Sequence, residues 1–227
     1  MNRPRFDARR TDPRRLPAAT ARTGAATLAN TLAAAALAAL LAGCASPEPR
    51  YYTLAQASGT GAAAAPQATP QGKPVWIEVA PVHVPERLNR AELVVGEDGS
   101  ADGDSRLRRL ELARWSAPLP DELRDALSQR LQAALDAQDT YRQGLSGVEP
   151  VYRITADVVR LDAAPGGRAG ALINWTVRRL PDGKLASGQS RADLPAGSGV
   201  DGVVAAYRQI LAGAADDIAG GVRALRP

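Results

Sequence analysis

The chain has 227 residues, 45% of them hydrophobic and 4% aromatic, with one cysteine, one histidine and a formal charge of +4. A lone cysteine excludes an internal disulfide framework and a cysteine-type zinc site. The basic excess is local: without the seven arginines and two acids of residues 1–43, 21 basic and 22 acidic residues remain, a net charge of −1 that removes nucleic acid as a partner.

Arg3, Arg5, Arg9, Arg10, Arg14, Arg15 and Arg22 form a positive leader. An Ala/Leu-rich run follows from Leu28 to Leu41 and ends in Leu41-Ala42-Gly43-Cys44. This is the pattern of a bacterial lipoprotein signal, with cleavage between Gly43 and Cys44 and acyl chains on Cys44. A retained membrane span is disfavoured, because the run contains Asn30 and Thr31 and is shorter than the ~20 apolar residues a span needs. No twin-arginine export consensus follows Arg9-Arg10 or Arg14-Arg15, which leaves ordinary secretion. Ala45 stands where an aspartate favours inner-membrane retention, so outer-membrane sorting is the default expectation.

Residues 44–74 read as a lipidated tether and linker. Ala45 to Leu54 is a short tether ending in Tyr51-Tyr52-Thr53-Leu54. Ala55 to Pro74 is Ala, Gly, Pro and Gln with almost no large apolar residue, so it reads as a flexible spacer between lipid and domain. The folded domain is expected over 75–227, and its length suits one core rather than two.

Val75–Ala80 reads as a buried strand, interrupted by Pro81 and Pro85, and Ala91–Val95 as a second. Gly96–Ser105 is a polar, acidic loop, and Leu107–Leu112 a third strand, placed at an edge by its arginines. Leu119, Leu123, Leu127, Leu131 and Leu135 recur every four residues and predict one apolar helix face. Pro120 suits the first turn of that helix, and Asp121 and Glu122, read as solvated, complement its dipole. Val151–Leu161, Ala171–Val177 and Leu185–Leu194 alternate in polarity, with a Pro181-Asp182-Gly183 turn between the last two, and predict an antiparallel meander. A last helix is expected over 201–225, with Val203, Tyr207, Ile210, Leu211, Ala214, Ile218 and Val222 buried. Its Gly213, Gly220 and Gly221 permit either close packing or a frayed end. The fold class is therefore α+β: a single compact domain with a mostly antiparallel or mixed sheet packed with two long amphipathic helices.

Chemistry is scarce. His83, between Val82 and Val84, has no orienting carboxylate in its sequence vicinity. Gly188-Gln189-Ser190-Arg191-Ala192 lacks the second glycine of a nucleophile elbow and has no histidine after it. Asp98, Ser100, Asp102 and Gly103 start like a calcium loop, but Arg109 stands at the twelfth position, where a bidentate glutamate belongs. No cofactor and no enzymatic activity is expected.

The ordered set of motifs resembles the PqiC family of ABC-type transport auxiliary lipoproteins over nearly the whole mature chain. It comprises the lipobox at Cys44, then Tyr51-Tyr52-Thr53-Leu54, then Ile77 to Arg90 with its strand and Pro85-Glu86-Arg87-Leu88-Asn89-Arg90 turn. Arg114-Trp115-Ser116-Ala117-Pro118-Leu119 opening a helix and Ile218-Ala219 near the end complete it. The acidic insert Asp98–Asp104 departs from the family, where the connection is usually shorter. The resemblance implies an outer-membrane lipoprotein facing the periplasm. It implies a non-enzymatic adaptor that forms a ring-shaped homo-oligomer and docks the conduit of a periplasmic MCE-domain protein moving lipids between membranes. The contact candidates are Tyr51, Tyr52, Pro85, Arg87, Arg90, Arg114 and Trp115, although Trp115 reads first as packing the helix onto the sheet. Rival readings are an assembly-factor lipoprotein of another envelope machine, a lipid-anchored hydrolase using His83 or Ser190, and a free-standing lipid carrier with an aliphatic pocket.

Overall fold

The computed structural model describes residues 47–55, 75–97, 106–141 and 148–227. The lipobox with Cys44, the spacer 56–74 and the acidic loop 98–105 lie outside the described residues. Eight strands and two long helices follow in order: β1 Arg50–Tyr52, β2 Val75–Val79, β3 Glu92–Gly96, β4 Leu107–Trp115, α1 Leu119–Leu135, β5 Ala137–Asp139, β6 Tyr152–Ala163, β7 Arg168–Arg179, β8 Leu185–Pro195 and α2 Gly199–Ala224. A 3-10 turn at Glu86–Leu88 sits between β2 and β3.

The strands form a three-stranded sheet, β1-β4-β3, and a five-stranded sheet, β5-β2-β6-β7-β8. In the larger sheet β2 runs parallel to β5 and β6, while β6, β7 and β8 are the expected antiparallel meander. The class is α+β with mixed sheets, as the alternation and the leucine spacing predict. Tyr152, Ile154, Ala156 and Val158 of β6 are buried, then the phase slips. A bulge between Val158 and Arg160 absorbs one residue, so Leu161 and Ala163 return to the buried face.

Helices α1 and α2 pack on each other and on that face. All five leucines of α1 are buried, and Asp136, in the left-handed region at φ 50°, ends the helix with its N–H on the Gln132 carbonyl. Every residue predicted for the apolar face of α2 is buried too, and the helix runs intact to Ala224, which rules out the frayed end. The opposite sheet face carries Arg153, Thr155, Asn174, Arg178 and Gln189 and is exposed.

Three expectations are corrected. First, the fold does not start at Val75. Arg50–Tyr52 pairs with β4, and Leu54 is fully buried in the core, so residues 48–54 belong to the folded unit. The apolar pair Tyr52 and Leu54, two residues apart, is a short half-buried strand and its anchor, and the polar composition downstream hid it. Second, the third strand is longer than expected, Leu107–Trp115: Ala113–Trp115 pairs with β1, while Leu107–Leu110 pairs with β3 alone among the described residues, at the expected edge. Third, Glu122 is not solvated. It is 4% exposed and bonded to Thr53 and Leu54, directly after β1.

Candidate functional site

The three motif segments meet at one corner of the fold. Tyr51 pairs with Arg114 and Tyr52 with Trp115 in the parallel β1–β4 ladder. The Trp115 N–H donates to the Ala91 carbonyl at 2.8 Å, and the Ser116 N–H to the Tyr52 carbonyl at 2.8 Å. Strand β1, the turn ending at Arg90 and the entry to α1 are thereby stitched through backbone alone. Between turn and helix entry lies a groove of about 430 Å³, lined by Arg90, Ala91, Trp115, Ser116 and Pro118 among others.

The side chains at this corner divide into floor and rim. Trp115 is 5% exposed and Tyr52 half-buried, so both pack into the core. Tyr51 is 64% exposed on the outer face. Arg114 stands beside it, with its guanidinium 3.8 Å from the Glu92 carboxylate. Pro85 opens the 3-10 turn with an extended backbone, and Leu88 anchors that turn in the core. Arg87 and Arg90 project outward, without an ion-pair partner among the described residues. Leu88 is the buried foot of this turn, and exposed charges such as those of Arg87 and Arg90 contribute little to fold stability.

Two buried carboxylates fasten α1 to its surroundings, one of them at the corner. Glu122 of α1 accepts from the Thr53 hydroxyl and the Leu54 N–H, both at 2.7 Å, and from the Ser116 hydroxyl. It ties β1 to the first turn of α1. Asp139 of β5 accepts from the Ser128 hydroxyl at 2.6 Å, the Val79 N–H at 3.2 Å, the Tyr141 N–H at 3.1 Å and the Arg124 guanidinium. Arg124 is 3% exposed, donates from Nε to the Val79 carbonyl at 3.1 Å and stacks 4.6 Å from the Tyr141 ring centre. Sequence reasoning missed both networks. The available signal was a polar residue at a helix position flanked by buried ones, Glu122 and Arg124 on either side of Leu123.

The sequence model for ABC-type transport auxiliary lipoprotein components matches residues 52–219, from β1 to the last turns of α2. The chain belongs to that family. No curated protein matches it. Among solved structures, a protein whose crystal structure carries no functional description is 19% identical, with a TM-score of 0.59, covering 78% of this chain and 99% of its own. A Xanthomonas campestris protein is 19% identical, with a TM-score of 0.47, covering 67% of this chain and 87% of its own. The PelC dodecamer from Paraburkholderia phytofirmans is 10% identical, with a TM-score of 0.34 and coverage of 62% and 87%. The likeness at a TM-score of 0.59, at 19% identity, concerns the fold alone.

In this lipoprotein of the transport auxiliary family, His83 and Ser190, the residues a hydrolase would use, belong to separate elements. The His83 backbone bridges to β6, its N–H on the Ala156 carbonyl at 3.3 Å, and its side chain is exposed. Ser190 is 7% exposed, receives the Trp175 indole N–H at 3.2 Å and donates to Asp217 at 2.6 Å. It cross-links β7, β8 and α2. Its hydroxyl is held between the Trp175 indole N–H and the Asp217 carboxylate, and no histidine is among these partners.

Proposed function

We propose that the chain is an outer-membrane lipoprotein, acylated at Cys44 after cleavage behind Gly43, which holds a periplasmic MCE-domain protein at the membrane. On this reading it works without covalent chemistry, as a ring-shaped homo-oligomer docked to the end of a lipid conduit. The observation that carries the reading is the meeting of the Tyr51–Arg114 and Tyr52–Trp115 pairs with the turn bearing Arg90 at one corner, within a chain of the transport auxiliary family. The corrected start of the fold sharpens it. Only Ala45 to Pro49 separates Cys44 from β1, and the six steps from Cys44 to Arg50 reach at most ~22 Å at ~3.6 Å per step. The docking corner, which contains β1, therefore stays at the membrane surface, and residues 56–74 interrupt the domain instead of spacing it from the lipid. Several acyl chains satisfy the need for more than one anchor.

The test is capture of the MCE-domain partner by the full lipidated chain. Arg87→Ala with Arg90→Ala should leave the melting temperature within ~2 °C, since exposed charges contribute ~0–1 kcal/mol, and should lower capture about ten-fold. Unchanged capture removes this corner from the interface. Palmitate labelling with mass measurement of the mature N-terminus tests Cys44 separately.

A further inference from the structure

Where α1 and α2 pack, two arginines stand together. Arg130 of α1 donates from Nη2 to the backbone carbonyl of Arg208 in α2 at 2.9 Å. Arg208 donates from Nη2 to the Thr53 carbonyl at 2.7 Å. Each guanidinium is thus fixed by one backbone carbonyl, and neither forms an ion pair with a carboxylate among the described residues. Both Nε atoms are buried and have no hydrogen-bond partner. Burial and the charge of Arg208 lower the pKa of Arg130, and the Asp216 carboxylate opposes them. The same fold treats its other inward-facing arginine differently: Arg124 is bonded to Asp125, Asp139 and the Val79 carbonyl. Two adjacent like charges with idle donors are unfavourable in the isolated chain and point to a counter-charge from outside it.

We propose that Arg130 and Arg208 together bind a phosphate group. A guanidinium matches phosphate oxygens with paired donors, and each fork keeps Nε and Nη1 after its carbonyl bond. A carboxylate is satisfied by one fork. A phosphate monoester has three free oxygens and carries up to two negative charges, which suits two forks. The approach is open as well. The solvent-side neighbours one turn away are alanines, Ala133 and Ala134 on α1 and Ala205 and Ala212 on α2, so no bulky side chain along either helix covers the pair. Asp216, two turns beyond Arg208 and exposed, is the nearby charge that would oppose an anion.

Position favours a lipid headgroup over a soluble phosphate as the source. Thr53, which Arg208 holds, is nine steps from Cys44, at most ~32 Å of chain at ~3.6 Å per step. Acyl chains on Cys44 therefore keep the pair close to a surface of phosphates. That choice of source rests on the acylation of Cys44. The site itself does not, and it uses none of the rim residues of the docking corner.

The test reads the melting temperature of the full lipidated chain in an uncharged detergent. Inorganic phosphate in large excess should raise it by about 5 °C, and acetate at matched ionic strength should not. Phosphatidic acid doped into the micelle should raise it likewise, against diacylglycerol, which lacks only the phosphate. A response to phosphatidic acid assigns the headgroup as source, and a response to inorganic phosphate alone assigns a soluble one. Arg130→Gln with Arg208→Gln should abolish the shift. Asp216→Asn, at an exposed position, should lower the probe concentration needed about three-fold, an effect that a merely structural arginine pair would not show. The unsubstituted chain and Asp216→Asn carry the test even where the double variant folds poorly. No shift with either phosphate probe, an equal shift with acetate, a shift kept in the double variant, or an unchanged requirement in Asp216→Asn overturns the proposal. A failure of acylation would silence only the lipid arm, and palmitate labelling identifies that case.

Discussion

Gly221 of α2 lies directly on the indole of Trp175, where a Cβ would stand 2.8 Å from the ring. Gly188 of β8 closes the other side, where a Cβ would collide with the same ring. The two glycines make a slot that lets the tryptophan lie flat between helix and hairpin strand, with its N–H on Ser190. Gly220, one residue earlier, meets nothing within 4 Å. Adjacent glycines therefore respond with opposite signs. Gly221→Ala should cost ~1–3 kcal/mol by overpacking, while Gly220→Ala should stabilise by up to ~1 kcal/mol through helix propensity. Urea midpoints of the two variants check this, and a shift in the same direction for both would sink the slot explanation.

Glu122 offers a sharper test of where the domain begins. Replacing it with alanine strands three donors, on Thr53, Leu54 and Ser116, in a site that water barely reaches. The expected loss is ~2–4 kcal/mol. Glu122→Gln keeps an acceptor for the Leu54 N–H and should lose ~1 kcal/mol. Hydrogen exchange at Leu54 should accelerate in the alanine variant before it does in the meander. If β1 were merely part of the tether, neither variant would move the melting temperature.

Periodicity made the helices and the meander legible, because each buries one continuous face and the sequence repeats at the matching period. Leu119 to Leu135 and Tyr152 to Val158 are clear cases. Strands β1 and β5 were not legible. Three residues cannot show a period, and both exist only because a distant segment presents an edge, β4 for Tyr51–Tyr52 and β2 for Ala137–Asp139. The buried carboxylates were hidden for the same reason. Asp139 and Glu122 look like surface acids until the fold delivers Arg124, Ser128 and the Leu54 amide to them. The segments that carry the candidate contacts meet in the fold, where Trp115 is buried, as its alternative reading as core packing has it, and Arg87 and Arg90 are exposed.

Tyr207 predicts an alkaline signature. Its phenol is buried, and burial together with the nearby Asp162 raises its pKa above the ordinary 10.0. A folded-state pKa raised in this way means that the unfolded chain releases the proton first. Stability tied to Tyr207 is thus complete below about pH 10 and declines as pH rises above it, with a slope of up to ~1.4 kcal/mol per pH unit. Tyr207→Phe should remove one proton's share of that slope. Denaturant titrations between about pH 9 and 11.5 read the slope itself, so any constant effect of the lost hydroxyl drops out. An unchanged slope would mean that the phenol ionises freely in the folded chain.

The two linker-like segments should behave differently, which separates reach from fold. Residues 56–74 enter from buried Leu54 and leave into β2, so they close a loop within the domain. Deleting Gly59 to Pro70 shortens that closure and should change stability by less than ~1 kcal/mol, since loop entropy varies only as the logarithm of length. It should also leave partner capture intact, because the distance from Cys44 to the corner does not pass through it. That distance is set by Ala45 to Pro49. Inserting about ten Gly/Ser residues there adds a flexible stretch of ~18 Å root-mean-square length and lets the corner leave the membrane. Melting should be unaffected, while partner capture at the membrane and resistance to envelope stress should fall. If the internal deletion impairs capture and the insertion does not, the reach resides in residues 56–74, and the short-tether geometry is wrong.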